Sequence, residues 1–179
     1  MNPALLVIDV QQGLFAPEPR PFEADAVMQR INELARSARQ AGRPVVFIQH
    51  ERADSPLSFQ SPGWQLAAGL ETAAGDLFVR KTTPDSFLNT DLQALLESRG
   101  VKQVVITGYA CEFCVDTTTR RAAALGYEVV LAADAHTTHD KPHLSAAAIR
   151  EHENATLPGI TSFGPRITSI PAGSIAFAA

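Results

Sequence analysis

The sequence contains few cysteines, no basic cluster and no long apolar run. Only two cysteines occur among 179 residues, too few for a disulfide framework. The formal net charge is −4 and no lysine- or arginine-rich stretch occurs, which argues against nucleic acid or an anionic membrane surface as a partner. The longest apolar runs, such as ALLVIDV, are far too short to span a bilayer. We therefore expect neither a nucleic-acid-binding protein nor a membrane protein.

The N-terminal residues also lack the basic segment and apolar stretch that mark a secretory signal peptide. We therefore expect a cytoplasmic protein, in a reducing compartment where a structural disulfide is unusual. Hydrophobic residues make up 45% of the chain and charged residues 19%, which is typical of a globular protein. The length suits one domain with one sizeable core, and we expect that domain over residues 1–179.

Short apolar runs alternate with helical patterns along the chain. The apolar runs predict strands at 4–10, 44–50, 76–81, 102–108, 127–134 and 165–170. Helical patterns predict helices at 22–41, 88–99, 112–125 and 140–155. Such alternation predicts an α/β fold with three layers, in which helices cover both faces of a doubly wound, Rossmann-like parallel sheet of six strands.

Several of the predicted strands end in a polar or charged residue. Asp9, His50 and Lys81 end the first three strands, and Asp134 ends the fifth. In a parallel sheet, ligands bind at the carboxyl ends of the strands, where the strand order reverses. The turn after strand four carries Cys114. The topology therefore predicts that an acid, a base and a thiol meet at one edge of the sheet.

Cys114 is the candidate nucleophile. It lies in the first turn of a predicted helix, where unpaired N–H groups and the helix dipole favour a thiolate. Asp9 follows a buried run, and a partly desolvated carboxylate there would take the thiol proton and return it to a leaving amine. Lys81, at a neighbouring strand end, would stabilise both the carboxylate and the thiolate. We therefore predict a Cys-Asp-Lys triad.

The spacing of Cys111 and Cys114 leaves a redox function open. A thioredoxin-like pair follows an early strand and usually has proline or glycine between the cysteines, whereas Glu112 and Phe113 lie between these two. A zinc site would need a second ligand pair, and the chain has no further cysteine. We interpret Cys111 as a turn residue. A thiol-redox protein using both cysteines is the alternative, and an oxidation-sensitive Cys111 stays open.

Further side chains near the predicted sheet edge are candidates for binding substrate. They are Gln11, Phe15, His50, Trp64, Phe87, Tyr109, Phe113 and His136. Trp64 lies in the irregular stretch 51–75, and a loop of that length in a compact domain is usually functional. His136, His139 and His143 lie in a polar segment that we interpret as a strand-to-helix loop and not as a metal cluster. We expect no bound metal and no other cofactor.

Three blocks of the sequence resemble one family. LLVIDVQ with Asp9, VRKTTPDSF with Lys81 and GYACEFCVDTTTRRAAALGYEVVLAADA with Cys114 are similar, in this order, to the isochorismatase-like cysteine hydrolases. The resemblance covers about residues 4–157, and the third block is the most specific. It implies a six-stranded parallel sheet and a catalytic triad of Cys114, Asp9 and Lys81. It also implies hydrolysis of an amide or related C–N bond through an acyl-enzyme.

The resemblance extends to details of the site. The family has a cis peptide before the nucleophile, matching Tyr109–Ala110, and its oxyanion hole then maps to the backbone N–H groups of Ala110 and Cys114. True isochorismatases of this fold lack the nucleophilic cysteine, so Cys114 indicates the amidohydrolase branch, acting on a small-molecule amide. Metal-dependent nicotinamidases carry an Asp-x-His pair after strand two, where this chain has His50 and Arg52.

Three other functions within this fold stay open at this point. They are a metal-free nicotinamidase-like hydrolase, an isochorismatase-type hydrolase and a catalytically idle binding protein. The resemblance also implies a homo-oligomer, because relatives commonly form dimers or tetramers.

Overall fold

The structure, a computed structural model that describes residues 2–177, contains one six-stranded sheet in which all strands are parallel. Residues 1, 178 and 179, which the predicted domain includes, lie outside the described residues. The strand order is β3-β2-β1-β4-β5-β6, which confirms the doubly wound topology. The strands are β1 Pro3–Ile8, β2 Val45–His50, β3 Leu77–Lys81, β4 Gln103–Tyr109, β5 Glu128–Thr137 and β6 Ile167–Ile170.

Five α-helices connect or flank these strands within residues 2–177. They are α1 Gln12–Phe15, α2 Ala24–Gln40, α3 Leu92–Glu97, α4 Asp116–Ala124 and α5 Ala146–Thr156. A π-helical turn at Cys111–Val115, called the cysteine turn below, precedes α4. Short 3₁₀ turns follow at Leu157–Gly159 and Ala172–Ser174. Within the described part of the chain, no helix combines the length and the apolar character needed to cross a membrane.

The buried residues of β1 divide the core into two halves. Leu5 and Val7 point to one face of the sheet and pack with the apolar stripe of α2. Leu6 and Ile8 point to the other face and pack with buried residues of α3 and α4. Successive side chains of a strand point to opposite faces, so a strand buried on both sides needs a continuous apolar run. Helices on both faces confirm the predicted three-layer α/β/α arrangement.

The chain departs from the predicted boundaries after Asp134. Strand β5 continues to Thr137 and does not end at Asp134, so the first residues of the predicted polar loop belong to the sheet. Helix α5 begins at Ala146, several residues later than predicted. Its N-cap is Ser145, whose hydroxyl accepts a hydrogen bond from an α5 backbone N–H. Asp140, the first residue of the predicted helix, lies outside α5, although its side-chain oxygen Oδ1 accepts a hydrogen bond from the Ala146 backbone N–H at 2.7 Å.

Candidate active site

The ends of β1 and β4 lie side by side at the point where the strand order reverses. Asp9 follows β1 with φ 52°, in the left-handed region that residues other than glycine seldom adopt. Gly108, near the end of β4, has φ 112°, and a β-carbon there would collide with the Ile8 backbone. Only glycine therefore allows the two strand ends to approach this closely. The peptide after β4, Tyr109–Ala110, is cis, as the resemblance implies.

Lys81 lies at the end of β3 and its side chain is completely buried. Its ammonium nitrogen Nζ is 2.8 Å from Asp9 Oδ2 and 3.3 Å from Cys114 Sγ. It also donates to the Thr83 carbonyl oxygen at 3.1 Å and lies 3.3 Å from His50 Nδ1. A buried charge is tolerated when it is paired and hydrogen-bonded, and these contacts meet that requirement. Lys81 thus joins the ends of three strands to the cysteine turn.

Asp9 is as deeply buried as its partner, and only one of its carboxylate oxygens is hydrogen-bonded. Oδ2 accepts from Lys81, whereas Oδ1 is buried without a hydrogen-bond partner among residues 2–177. A buried carboxylate oxygen without a donor is costly, and such groups cluster at functional sites. Oδ1 is therefore available to accept a proton from a neighbouring group.

Cys114 is partly exposed in the cysteine turn. Burial raises the pKa of its thiol to about 12, and the Asp9 charge adds to this effect, while Lys81 opposes it. The sequence analysis expected a thiolate stabilised by a helix start. The structure corrects this, because burial and the Asp9 carboxylate outweigh Lys81. Cys114 therefore rests as a thiol beside a carboxylate.

His50, the last residue of β2, is partly buried beside Lys81. Burial lowers the pKa of its ring, and the Lys81 charge lowers it further. His50 Nδ1 is one of four groups within 3.3 Å of the Lys81 ammonium nitrogen, which has three N–H groups to donate. The predicted candidate His50 therefore lies in the same cluster as Asp9, Lys81 and Cys114.

Three of the predicted substrate-binding residues, Gln11, Phe87 and His136, are buried. Gln11 is fully buried, and its side-chain amide forms hydrogen bonds with the backbones of His50 and Trp64. These hydrogen bonds attach the 51–75 loop to β2. Phe87 is 6% exposed and packs in the core. His136 is fully buried, and each of its ring nitrogens has a hydrogen-bond partner within the protein. Strand-end and loop positions in the sequence did not reveal that these three side chains point into the protein.

The remaining aromatic candidates lie in different places. Phe15 is buried and packs edge-to-face against Tyr109, 6.1 Å between ring centroids. Tyr109 is partly exposed, and its hydroxyl hydrogen-bonds His139 Nδ1 at 2.8 Å. Phe113 is 53% exposed on the cysteine turn, with Lys141 above its ring. Tyr109 and Phe113 are therefore the aromatic candidates that closely precede Cys114 in the chain and remain accessible.

Trp64 is partly buried and belongs to another part of the surface. It lines a cavity of about 470 Å³ beside the edge strand β3, together with Phe78 and Arg80. Neither Asp9 nor Cys114 lines this cavity. The structure therefore places Trp64 at a cavity that Cys114 does not line.

Sequence patterns did not identify every group that contacts the cluster. The Thr83 carbonyl, which accepts from Lys81, was missed because backbone groups leave no residue-type signal. The ring of His139, which hydrogen-bonds the candidate Tyr109, was also missed. Asp134, predicted at the sheet edge, instead pairs with Arg30 of α2 at 3.3 Å, because β5 runs past it. Among residues 2–177, no group of three or more His, Cys, Asp or Glu side chains is placed to hold a metal ion.

The sheet is Rossmann-like, and a buried lysine–carboxylate pair lies beside a cysteine at the point where the strand order reverses. This arrangement belongs to a class of α/β enzyme sites in which a thiol lies next to a proton acceptor. The particular family follows from the sequence, which matches the isochorismatase domain over residues 3–162. The chain belongs to the isochorismatase family.

Several proteins are similar to this chain. A streptothricin hydrolase from Streptomyces noursei is 41% identical over 143 residues, which cover 78% of this chain and 51% of that protein. The chain thus spans about half the length of that relative. Ureidoacrylate amidohydrolase RutB from Variovorax paradoxus is 30% identical, covering 83% of this chain and 71% of that protein. The crystal structure of an isochorismatase family protein superimposes with a TM-score of 0.86 at 37% identity, covering 94% of this chain and 98% of the other.

Proposed function

We propose that this protein is a cysteine amidohydrolase that cleaves a small amide or related C–N bond through an acyl-enzyme at Cys114. The observation that carries the proposal is the position of Lys81 Nζ, 2.8 Å from Asp9 and 3.3 Å from Cys114. One buried cation therefore contacts both a candidate nucleophile and a candidate proton acceptor. Similarity to a streptothricin hydrolase and to a ureidoacrylate amidohydrolase supports the choice of a C–N bond.

The first half of the proposed reaction acylates Cys114. The thiol proton passes to Asp9 while the sulfur attacks the amide carbonyl carbon and forms a C–S bond. The backbone N–H groups of Ala110 and Cys114 stabilise the oxyanion. Asp9 then protonates the departing nitrogen, the C–N bond breaks, and ammonia or an amine leaves.

The second half of the reaction releases the acid. A water molecule gives a proton to Asp9 and attacks the thioester carbonyl. The C–S bond breaks, the proton returns to the sulfur, and Cys114 rests again as a thiol. The raised pKa of Cys114, about 12, suits this cycle, because the proton leaves only when an acceptor and an electrophile are both in place. Lys81 balances the negative charge as it moves between the sulfur and Asp9.

A thiol-redox function is less well supported. Cys111 is fully buried, and its sulfur lies 3.0 Å from His136 Nδ1. Burial raises the pKa of the Cys111 thiol well above its usual range. Redox cysteines are accessible and have lowered pKa values, whereas Cys111 is neither accessible nor acidic.

The proposal is tested by hydrolysis of a panel of primary amides, ureido acids and lactams, followed by ammonia release and by mass spectrometry. We expect wild-type protein to hydrolyse at least one class, and Cys114→Ala to lose on the order of 10⁴-fold or more in kcat, as nucleophile removal does in other enzymes. The melting temperature of Cys114→Ala is the folding control. Turnover by Cys114→Ala at the wild-type rate would contradict the proposal.

A further inference from the structure

The cysteine turn has a second hydrogen-bonded cluster on its inner side, away from Lys81. Cys111 Sγ lies 3.0 Å from His136 Nδ1, and His136 Nε2 lies 3.0 Å from Asn154 Oδ1. Cys111 and His136 are both fully buried. The proposed reaction uses none of these three side chains. They nevertheless connect the first residue of the cysteine turn to β5 and α5.

The hydrogen bonds of Asn154 determine which atom is the donor in each contact between Asn154, His136 and Cys111. Its amide nitrogen Nδ2 donates to the Ala133 carbonyl oxygen at 2.8 Å, so its Oδ1 faces His136 and is an acceptor. Ser169 Oγ also donates to this Oδ1 at 2.8 Å. His136 Nε2 must therefore carry a proton in order to donate to Asn154.

The proton on Nε2 determines what Cys111 does. Burial lowers the pKa of His136 to about 4, so the ring is neutral near pH 7 and Nδ1 carries no proton. The contact at 3.0 Å then has one consistent direction, in which the Cys111 S–H donates to Nδ1 of His136. The raised pKa of Cys111 agrees with a sulfur that stays protonated. Cys111 is a hydrogen-bond donor here, and not a nucleophile.

The turn that Cys111 begins holds the groups of the proposed reaction. Ala110, immediately before Cys111, accepts backbone hydrogen bonds from Phe113 and Val115 at 3.1 Å each. On the outer side, Glu112 accepts from Thr138 at 2.9 Å and pairs with Lys141 at 2.9 Å. The Cys111 thiol supplies the corresponding anchor on the inner side.

We infer that Cys111, His136 and Asn154 are positioning residues, and that the hydrogen bond donated by the Cys111 thiol holds the cysteine turn in the geometry that presents the Ala110 and Cys114 N–H groups to the oxyanion. This inference rests on the proposed function for the reaction that the turn serves. It implies that position 111 requires a donor of this size, and that sulfur chemistry is not needed there.

The test compares Cys111→Thr with Cys111→Val, because the two side chains have the same shape and only threonine donates a hydrogen bond. We expect Cys111→Thr to keep kcat within about threefold of wild type, and Cys111→Val to lose about tenfold or more, with KM within about twofold for both. Alkylation of Cys114 by iodoacetamide needs no oxyanion donor, so its rate should stay within about threefold in both variants. Equal kcat values for the two variants would overturn the inference.

A second measurement does not depend on turnover or on the folding of a variant. The ¹⁵N chemical shifts of the wild-type imidazole report which ring nitrogen carries the proton. We expect His136 to be protonated at Nε2 and bare at Nδ1, and a proton on Nδ1 would overturn the inference. If wild-type protein hydrolysed no member of the amide panel, the proposed function would fail, whereas this spectrum would still decide whether Cys111 donates to His136.

Discussion

The two sides of the cysteine turn place the same residue type in opposite surroundings. Cys114, on one side, lies 3.3 Å from a buried ammonium group that is paired with the Asp9 carboxylate. Cys111, on the other side, lies 3.0 Å from a neutral histidine that protein atoms hold in place. Burial raises the pKa of both thiols, so acidity does not distinguish them. The difference lies in the direct contacts, since the Cys114 sulfur contacts the ammonium group that is paired with Asp9, whereas the Cys111 sulfur contacts a neutral imidazole.

This contrast explains why the Cys-x-x-Cys spacing is a poor guide to function here. A redox pair needs two thiols that share access to solvent and to each other's chemistry. The cysteine turn instead exposes one sulfur to the sheet edge and turns the other into the core. The Cys-x-x-Cys spacing is the same in a redox pair and in this cysteine turn. The conformation of the backbone determines which sulfur is exposed and which is buried.

Removing the charge from the Cys114 side should have the largest effect. Lys81→Met leaves Asp9 buried without its cation, so we expect the free energy of unfolding to fall by about 3–5 kcal/mol. We also expect kcat to fall on the order of 10³-fold or more, since charge on the sulfur and on Asp9 loses its stabilisation. Urea unfolding and amide turnover measure the two effects.

Arg36→Met is the matched control for that change. Arg36 pairs with Glu71 at 2.9 Å on the surface, with both side chains about half exposed. Exposed ion pairs contribute little to stability, so unfolding and turnover should remain near wild type. If Lys81→Met behaved like Arg36→Met, the buried pair would not have the importance we assign to it.

Protonation of His136, on the Cys111 side, should have a smaller effect, which is seen in the free energy of unfolding. The pKa of His136 is about 4 in the folded chain against an ordinary value of 6.5. Below pH 6.5 the unfolded chain binds a proton that the folded chain does not, so stability is lost as the pH falls. We expect this residue to account for a loss of about 2 kcal/mol between pH 7 and pH 5.

Comparison with His136→Gln isolates that contribution, because the variant has no group that titrates at this position. Glu153 acts in the opposite direction, since burial raises its pKa from 4.5 to about 7 and its stabilisation is lost as the pH rises through that value. Both proteins contain Glu153, so its effect cancels in the difference between their urea midpoints at the two pH values. A pH dependence shared equally by wild type and His136→Gln would contradict the assignment.

The sheet edge was predictable from sequence, and the directions of the side chains were not. Asp9, His50 and Lys81 follow or end buried apolar runs, and parallel strands bring such residues to one edge, as the structure confirms. Gln11 and His136 occupy equally suggestive positions, yet both are fully buried. Gln11 hydrogen-bonds the His50 and Trp64 backbones, and His136 contacts Cys111 and Asn154, which are contacts that only the folded chain creates.

The resting state of Cys114 was also beyond sequence reasoning. The predicted helix start favoured a thiolate, whereas the pKa depends on how deeply the sulfur is buried and on the balance between Asp9 and Lys81. Asn154 gave no signal either, since its contact with His136 depends on how α5 packs against the end of β5.

The most direct test is to locate the acyl group during turnover. Wild-type protein is mixed with an amide that it hydrolyses, quenched in acid during turnover and digested with trypsin. The digest should give peptide 103–120, which contains both cysteines. Fragment ions should place the added acyl mass on Cys114, and Cys111 should be unmodified. An acyl group on Cys111, or continued turnover with neither cysteine ever acylated, would contradict the central claim that Cys114 is the nucleophile.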